Sequence, residues 1–556
     1  MTGIMSTEIR NQSVKESRWI WLFSLLVIIV TSIPYLVGFS FENLNLHPGN
    51  KWIFSGFIFG VEDGNSYIAK ALRGSTGDWL FHTPYTAFPQ RGLLAFLPYI
   101  LMGKFVSPPG QHEQLIALLH IFRAVSIVLV VFATYEFISI FTTSISYRRL
   151  GLFWAIFGGG LGWLVVMTGN GGLFGSMPLE FYSPETFGFL SIYGIPHLII
   201  ARACMLWSIV RYINLYGGSE TTITKEGLII GALWLAVAFA QPLTAGVLGI
   251  LIGGHFIIIF ICIKFNWLKN SGVDIGKILA VILMAGFLPA IFILYNIWSF
   301  SSDPFLKQWT SQNIISSPHP LHYLIAYGLL LPFAWMGGKD VYDNKNIKGF
   351  LLVYWVILIP FLAYAPTNLQ RRLPEGSWVA LIALSIVGLN TVQREKTVRF
   401  SKWPSWILTA LLLPGSIILI IGGISAASNP GIPLFRPEGE ILAFEYIREH
   451  SRPNDVVLAS YETGNVLPAW APVYVVIGHG PESIHLQQLS VQVDNFFKQV
   501  TINTDRIQLL EDLKIRYVFW GPFERSLGDW NPAEAKYLLA VYENDGYSVY
   551  EYIKSR

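Results

Sequence analysis

Residues 19–39 read WIWLFSLLVIIVTSIPYLVGF, from Trp19 to Phe39 without one Asp, Glu, Lys or Arg. A helix rises about 1.5 Å per residue and the bilayer core is about 30 Å thick, so a run of this length predicts a spanning helix. It is long for the apolar core of a signal peptide, and no small-residue cleavage site follows, so it reads as a retained first span. Arg10, Lys15 and Arg18 precede it, which places residues 1–18 in the cytoplasm, because Lys and Arg near span ends stay on that side.

The pattern repeats along most of the chain. Apolar residues make up 53% of the 556 and charged residues 13%, about half the charge of a soluble domain, so water is not the main solvent. Spans are expected near 19–39, 116–141, 150–168, 192–213, 226–241, 243–263, 276–298, 321–337, 349–365, 376–391 and 404–427. With the N-terminus inside, the cytoplasmic loops then contain Arg148 and Arg149; Arg211 and Lys225; Lys264, Lys269 and Lys277; Lys339, Lys345 and Lys348; and Arg394, Lys396, Arg399 and Lys402. That recurrence satisfies the positive-inside rule. Counting the apolar stretch 91–107 as a span would invert the loops after it, so it is read as a juxtamembrane or re-entrant helix. No internal repeat of the transporter kind is visible.

After Asn429-Pro430-Gly431 the pattern changes. EGEILAFEYIREH reads as an amphipathic helix, DVVLAS, VYVVIGHG and RYVFWGP as buried parallel strands, and LAVYEND with YSVYEYIK as a hairpin around Asn544-Asp545-Gly546. The expected fold class is therefore an α-helical polytopic membrane protein of about eleven spans with a C-terminal soluble α/β domain. Residues 1–18 form the cytoplasmic N-terminus, 19–428 the transmembrane domain with a large first external loop at 40–115, and 429–556 the external α/β domain. The net charge of +3 and the lack of an arginine-rich arm argue against nucleic acid as a partner. The two cysteines, Cys204 and Cys262, both fall in expected spans and offer neither a disulfide framework nor a zinc site. No cofactor is indicated, although paired carboxylates leave a divalent metal open.

The first external loop is rich in Trp, Phe, Tyr and Gly, which is not a disordered composition, and long loops of this kind are commonly functional. It contains Glu62 and Asp63, with Asp78 and His82 further on. Adjacent, partly desolvated carboxylates suit a general base, a metal ligand or plain helix capping. A second feature is Asn368-Leu369-Gln370-Arg371-Arg372-Leu373-Pro374-Glu375 in a short external loop, where the charge rule disfavours arginine. Two guanidinium groups suit a lipid phosphate; the alternatives are bulk anionic lipid or pairing with Glu375. His197 and Arg202 in IPHLIIARACM lie beside a span and suit either a lipid phosphate or a structural ion pair. His319 and His322 around Pro320 read first as structural. Two tail segments, Glu462-Thr463-Gly464-Asn465 and Gly478-His479-Gly480-Pro481-Glu482, follow expected strands, where α/β folds place ligand-contacting loops, but neither matches a phosphate-binding fingerprint.

Taken together, Glu62 and Asp63, the Gln370-Arg371-Arg372 segment and the tail pieces ETGN, GHGPES and YVFWGP resemble bacterial members of the GT-C class of membrane glycosyltransferases, which take sugars from polyprenyl-phosphate carriers. The likeness covers essentially the whole chain, and its motifs are of low specificity. The resemblance implies an inverting transfer on the external side of the membrane. An acidic residue, Asp63 first and Glu62 second, serves the acceptor as base. Gln370, Arg371 and Arg372, with His197, Arg202 and His82, bind substrate. The implied partners are a polyprenyl-phosphate-linked sugar donor, a lipid, glycan or protein acceptor, and membrane lipids. Against it stand a lipid or solute transporter and a non-catalytic role in envelope assembly. Transport predicts charged residues along a midplane path.

Overall fold

The computed structural model describes residues 2–44, 51–217, 222–268, 272–394 and 403–554. Lys269, Lys396, Arg399 and Lys402 lie outside the described residues. Two compact units are present, each assembled from three pieces of chain.

The first unit comprises Met1–Ile33, Phe122–Asn296 and Ile315–Gly422 and is helical. Seven helices of the described chain are long and apolar enough to cross a membrane: Val14–Glu42, Gln111–Phe141, Pro196–Gly217, Ile223–Ala240, Pro242–Lys264, Ile275–Ser302 and Trp403–Ala427. Each matches an expected span. Pro320–Tyr327 and Leu331–Asp343 form a pair bent by 76°, while Gly349–Ala363 and Ser377–Val392 are shorter apolar helices. Proline opens several of these segments, as at Pro196, Pro242 and Pro320, where its missing N–H leaves no bond unmade. Leu331–Asp343 and Ser377–Arg394 pack backbone against backbone: a Cβ on Gly337 would lie 2.1 Å from the Leu384 carbonyl oxygen, and one on Gly388 would lie 2.0 Å from that of Phe333. Small residues permit such close approach where lipid supplies no hydrophobic drive between helices.

The expected span 150–168 differs from the structure. It is divided into Ile145–Phe157 and Gly162–Met167, and the break at Gly158-Gly159-Gly160-Leu161 leaves helix N–H groups that need acceptors. Gly159 donates to the Leu412 carbonyl at 2.7 Å, Leu161 to that of Ile325 at 3.1 Å, and Gly160 and Trp163 to the Glu180 carboxylate at 3.1 and 2.9 Å. Irregular backbone among apolar helices is tolerated when protein satisfies it.

The second unit comprises Pro34–Ile121, Ile297–Ile314 and Gly423–Arg556. A short ladder joins β1 (Trp52–Phe54) antiparallel to β2 (Phe435–Pro437), so the segment after the first helix pairs with the start of the tail. Further on lie β3 (Val456–Leu458), β4 (Tyr474–Val475), β5 (Ile515–Trp520), β6 (Leu538–Asn544) and β7 (Tyr547–Tyr552), in the order β4-β3-β5-β7-β6. The first three are parallel and the last two form the expected hairpin, turning at Asp545-Gly546, both with positive φ. Val476, Val493, Phe496, Leu510 and Val518 are among the side chains that fill the core of this layer. Helix Val61–Ser75 packs on Leu97–Gly103, which is the helical part of 91–107 and at 7 residues is too short to span a bilayer. A Cβ on Gly103 would meet the Ala71 carbonyl oxygen at 1.9 Å.

Candidate functional site

Helix Val61–Ser75 starts from Gly60, whose φ of +60° is a left-handed conformation that glycine adopts without strain. Glu62 and Asp63 occupy its first turn, where the partial positive charge of the helix end favours carboxylates. The turn is gripped by two segments of the tail. Tyr461, which opens helix Tyr461–Trp470 after β3, donates its hydroxyl to Glu62. Burial, and then Glu62 itself, push that phenol well up, so it stays a donor. Gly480, after β4, donates its N–H to the Tyr461 oxygen at 2.8 Å. The ETGN segment is thus the first turn of a helix rather than a loop, and its Asn465 accepts from Asn65 at 2.8 Å.

Asp63 stands differently. Its side chain is 57% exposed, and His479 Nε2 lies 3.2 Å from its Oδ1. The other ring nitrogen of His479 is 3.4 Å from Glu482 Oε1. Glu482 is buried and accepts from Lys70 Nζ at 2.6 Å, Thr83 Oγ1 at 2.5 Å and Ser66 Oγ at 3.1 Å. Lys70 is equally buried and rests over the Phe96 ring, 4.4 Å from its centre. Burial alone raises Glu482, but Lys70 and His479 beside it hold it below its ordinary value. For His479 burial works downward, yet Glu482 and Asp63 outweigh it and the imidazole is raised. Asp63, Ser66 and Lys70 fall on one helix face at i, i+3 and i+7, the one local signal of this cluster present in the sequence.

His82 lies elsewhere in this unit, half-buried and 3.9 Å from Asp78, which also takes a hydrogen bond from Arg73. Gln370, Arg371 and Arg372 form a single helical turn in the first unit. Gln370 accepts from the Ser317 N–H at 3.3 Å, and the Arg371 guanidinium stacks over Tyr182 at 4.4 Å. Arg372 Nε is 3.4 Å from Glu185 Oε1. Among the described residues, Arg371 Nε, Arg372 Nε and Glu185 Oε2 are buried atoms without a hydrogen-bond partner. Glu180 and Glu185, in the loop before helix Gly188–Gly194, were not singled out from sequence. Arg202 is buried and fully engaged, donating to Glu375 at 2.5 Å, to the Pro184 carbonyl at 2.9 Å and to Ser191 at 3.1 Å. His197 stands in the first turn of helix Pro196–Asn214, partly buried. Among the described residues no group of three or more His, Cys, Asp or Glu side chains is placed to hold a metal ion.

No family profile matches this chain, and no curated protein matches it by sequence. Solved structures do. The oligosaccharyltransferase of Archaeoglobus fulgidus, in its apo form, is similar with a TM-score of 0.53 at 12% identity, over 89% of this chain and 69% of that one. The mycobacterial arabinofuranosyltransferase AftD gives 0.53 at 11% identity over 97% of this chain, which spans 42% of that longer protein. The apolar helices and the C-terminal sheet agree with the expected fold class, and the chain shares the fold of these two transferases.

Proposed function

We propose that this protein is an inverting glycosyltransferase that moves a sugar from a polyprenyl-phosphate carrier to an acceptor on the external side of the membrane. The observation that carries this reading is the acidic turn. In a chain with the GT-C fold, one carboxylate of the first loop, Glu62, is tied down, while its neighbour Asp63 is oriented by His479 yet exposed enough for an acceptor to reach. In the reaction Asp63 takes the proton of the acceptor's nucleophile, the nucleophile bonds to the anomeric carbon, and the bond to the carrier breaks with its electron pair left on a phosphate oxygen. Arg371 and Arg372 serve that phosphate, since preorganised guanidinium groups are worth most where charge develops in a low-dielectric site. Glu62 fixes the turn. Arg202 acts indirectly, holding Glu375 at the end of the arginine loop.

The test is transfer of radiolabelled sugar from a panel of polyprenyl-phosphate donors in membranes containing wild type, Asp63→Asn, Glu62→Gln or Arg371→Ala at matched expression. Asp63→Asn is expected to lose about 100-fold or more in rate, and Arg371→Ala about 100-fold. Transfer indifferent to all three changes moves the site elsewhere. No transfer by folded wild type with any donor favours transport or envelope assembly instead.

A further inference from the structure

The second unit contains a row of three buried ionisable groups, Lys70, Glu482 and His479, that ends on the exposed Asp63 of the acidic turn, with contacts of 2.6, 3.4 and 3.2 Å along it. His479 sits between two carboxylates, one at each ring nitrogen. The Nε2 contact with Asp63 is a hydrogen bond, whereas Nδ1 stands at ion-pair distance from Glu482 without hydrogen-bond geometry. With Nε2–H donating to Asp63, a neutral ring would turn its Nδ1 lone pair toward the Glu482 carboxylate, an opposition that a proton on Nδ1 removes. Of the other groups near the ring, the Lys70 ammonium opposes that state and the two carboxylates outweigh it. Lys70 neutralises Glu482 from behind, Glu62 reaches the same loop through Gly480, and Tyr85, whose ring is 5.3 Å away, and Tyr461 are both held as neutral phenols. The loop itself is rigid: the Ser483 hydroxyl accepts from the N–H groups of Gly478 and His479 at 3.0 and 3.1 Å, and a Cβ on Gly478 would sit 2.3 Å from the backbone of Gly464.

We propose that His479 is a positioning residue contributed by the C-terminal region: braced by the buried Lys70–Glu482 pair, its Nε2–H orients the Asp63 carboxylate that receives the acceptor's proton. This rests on the glycosyltransferase reading above and adds to it a role for the tail. The tail is then part of the catalytic apparatus, since the charge facing Asp63 is supplied from more than 400 residues away in sequence, the two side chains being separated by 416 positions. A purely structural tie between loop and helix would hold the turn in place without any coupling between the protonation of His479 and the behaviour of Asp63.

Two measurements on the full chain in lipid nanodiscs separate these. In the first, selective 13Cε1-histidine labelling follows the imidazole signals with pH, and His479 is assigned by its loss in His479→Gln. The expected result is titration of His479 above 6.5, its ordinary value, with a downward move in Asp63→Asn and again in Glu482→Gln. Titration near 6.5 that ignores both changes overturns the proposal, and this readout needs no transferase activity. In the second, transfer is recorded against pH for wild type, His479→Gln and His479→Lys. His479→Gln is expected to lower kcat about 10- to 100-fold through misorientation, with donor KM unchanged. The acid limb of its profile moves to higher pH, because a carboxylate without its cation ionises later, and His479→Lys restores part of both. A His479→Gln profile that is lower but not displaced reduces His479 to a structural tie. If wild type transfers no sugar, the reaction assignment fails and the titration alone decides whether His479 and Asp63 are coupled.

Discussion

Lys70 and Glu482 are both almost wholly buried, and each is tolerable there only because of the other. Lys70→Met leaves a carboxylate among aromatic rings with two hydroxyls and a half-compensating imidazole, and is expected to cost about 3–5 kcal/mol. The double variant Lys70→Met/Glu482→Met recovers most of that loss, as measured by thermal or denaturant unfolding of the purified chain. A double variant as unstable as the single one would show that the pair is not the cause. The same cluster sets a pH window. Glu482 lies below its ordinary 4.5 in the folded protein, so its contribution is present above 4.5 and is lost as pH falls through its folded value. His479 lies above 6.5, so its contribution is full below 6.5 and is lost as pH rises through its folded value. Melting temperature is therefore expected to be highest between these limits, and His479→Gln to flatten the alkaline side. Of this cluster the sequence displayed the acids of the first turn and, separately, the Gly478–Glu482 segment after an expected strand. Lys70 was hidden because its partner is 412 positions away, a pairing that no local spacing encodes.

At the scale of elements, the grip on the acidic turn depends on how closely helix Tyr461–Trp470 meets the loop after β4. A Cβ on Gly464 would lie 2.1 Å from the Ile477 carbonyl oxygen, and one on Gly478 would lie 2.3 Å from Gly464. Gly464→Ala or Gly478→Ala must push these segments apart. Each is expected to cost about 1–3 kcal/mol and to lower activity beyond what stability explains, because Tyr461 and His479 ride on the two segments. Melting curves and transfer rates on the same preparations check this. The spans were legible because long apolar runs have few other readings, and the strands because Val, Ile, Tyr and Phe cluster between turn residues. The division of 150–168 was not. Its glycines keep the run apolar, and what ends the helix is the Glu180 carboxylate claiming the N–H groups of Gly160 and Trp163 from outside that run.

For the whole molecule, the charge of the loops is the argument for its orientation. We propose from that charge that the N-terminus lies inside, the C-terminal region outside and the 339–348 loop in the cytoplasm. Cys204 is buried, so a Cys262→Ser background is nearly silent to thiol reagents. In intact cells a membrane-impermeant maleimide is expected to label a cysteine introduced at Val500, which is 87% exposed, and to label Asn344→Cys only after permeabilisation. The reverse pattern would invert the topology and place Asp63 on the wrong side for an external acceptor.

The ladder between β1 and β2 carries a consequence for biogenesis. The Lys51–Glu438 pair at the end of its strands joins positions 387 residues apart. At about 5–20 residues per second, a ribosome needs roughly 20–80 s to cover that distance. During this time the segment that bears Asp63 has left the ribosome while its partners are still unsynthesised. A nascent chain arrested before residue 435 lacks β2, Tyr461 and His479, so the acidic turn is completed only after that interval, in which a chaperone has the opportunity to protect it.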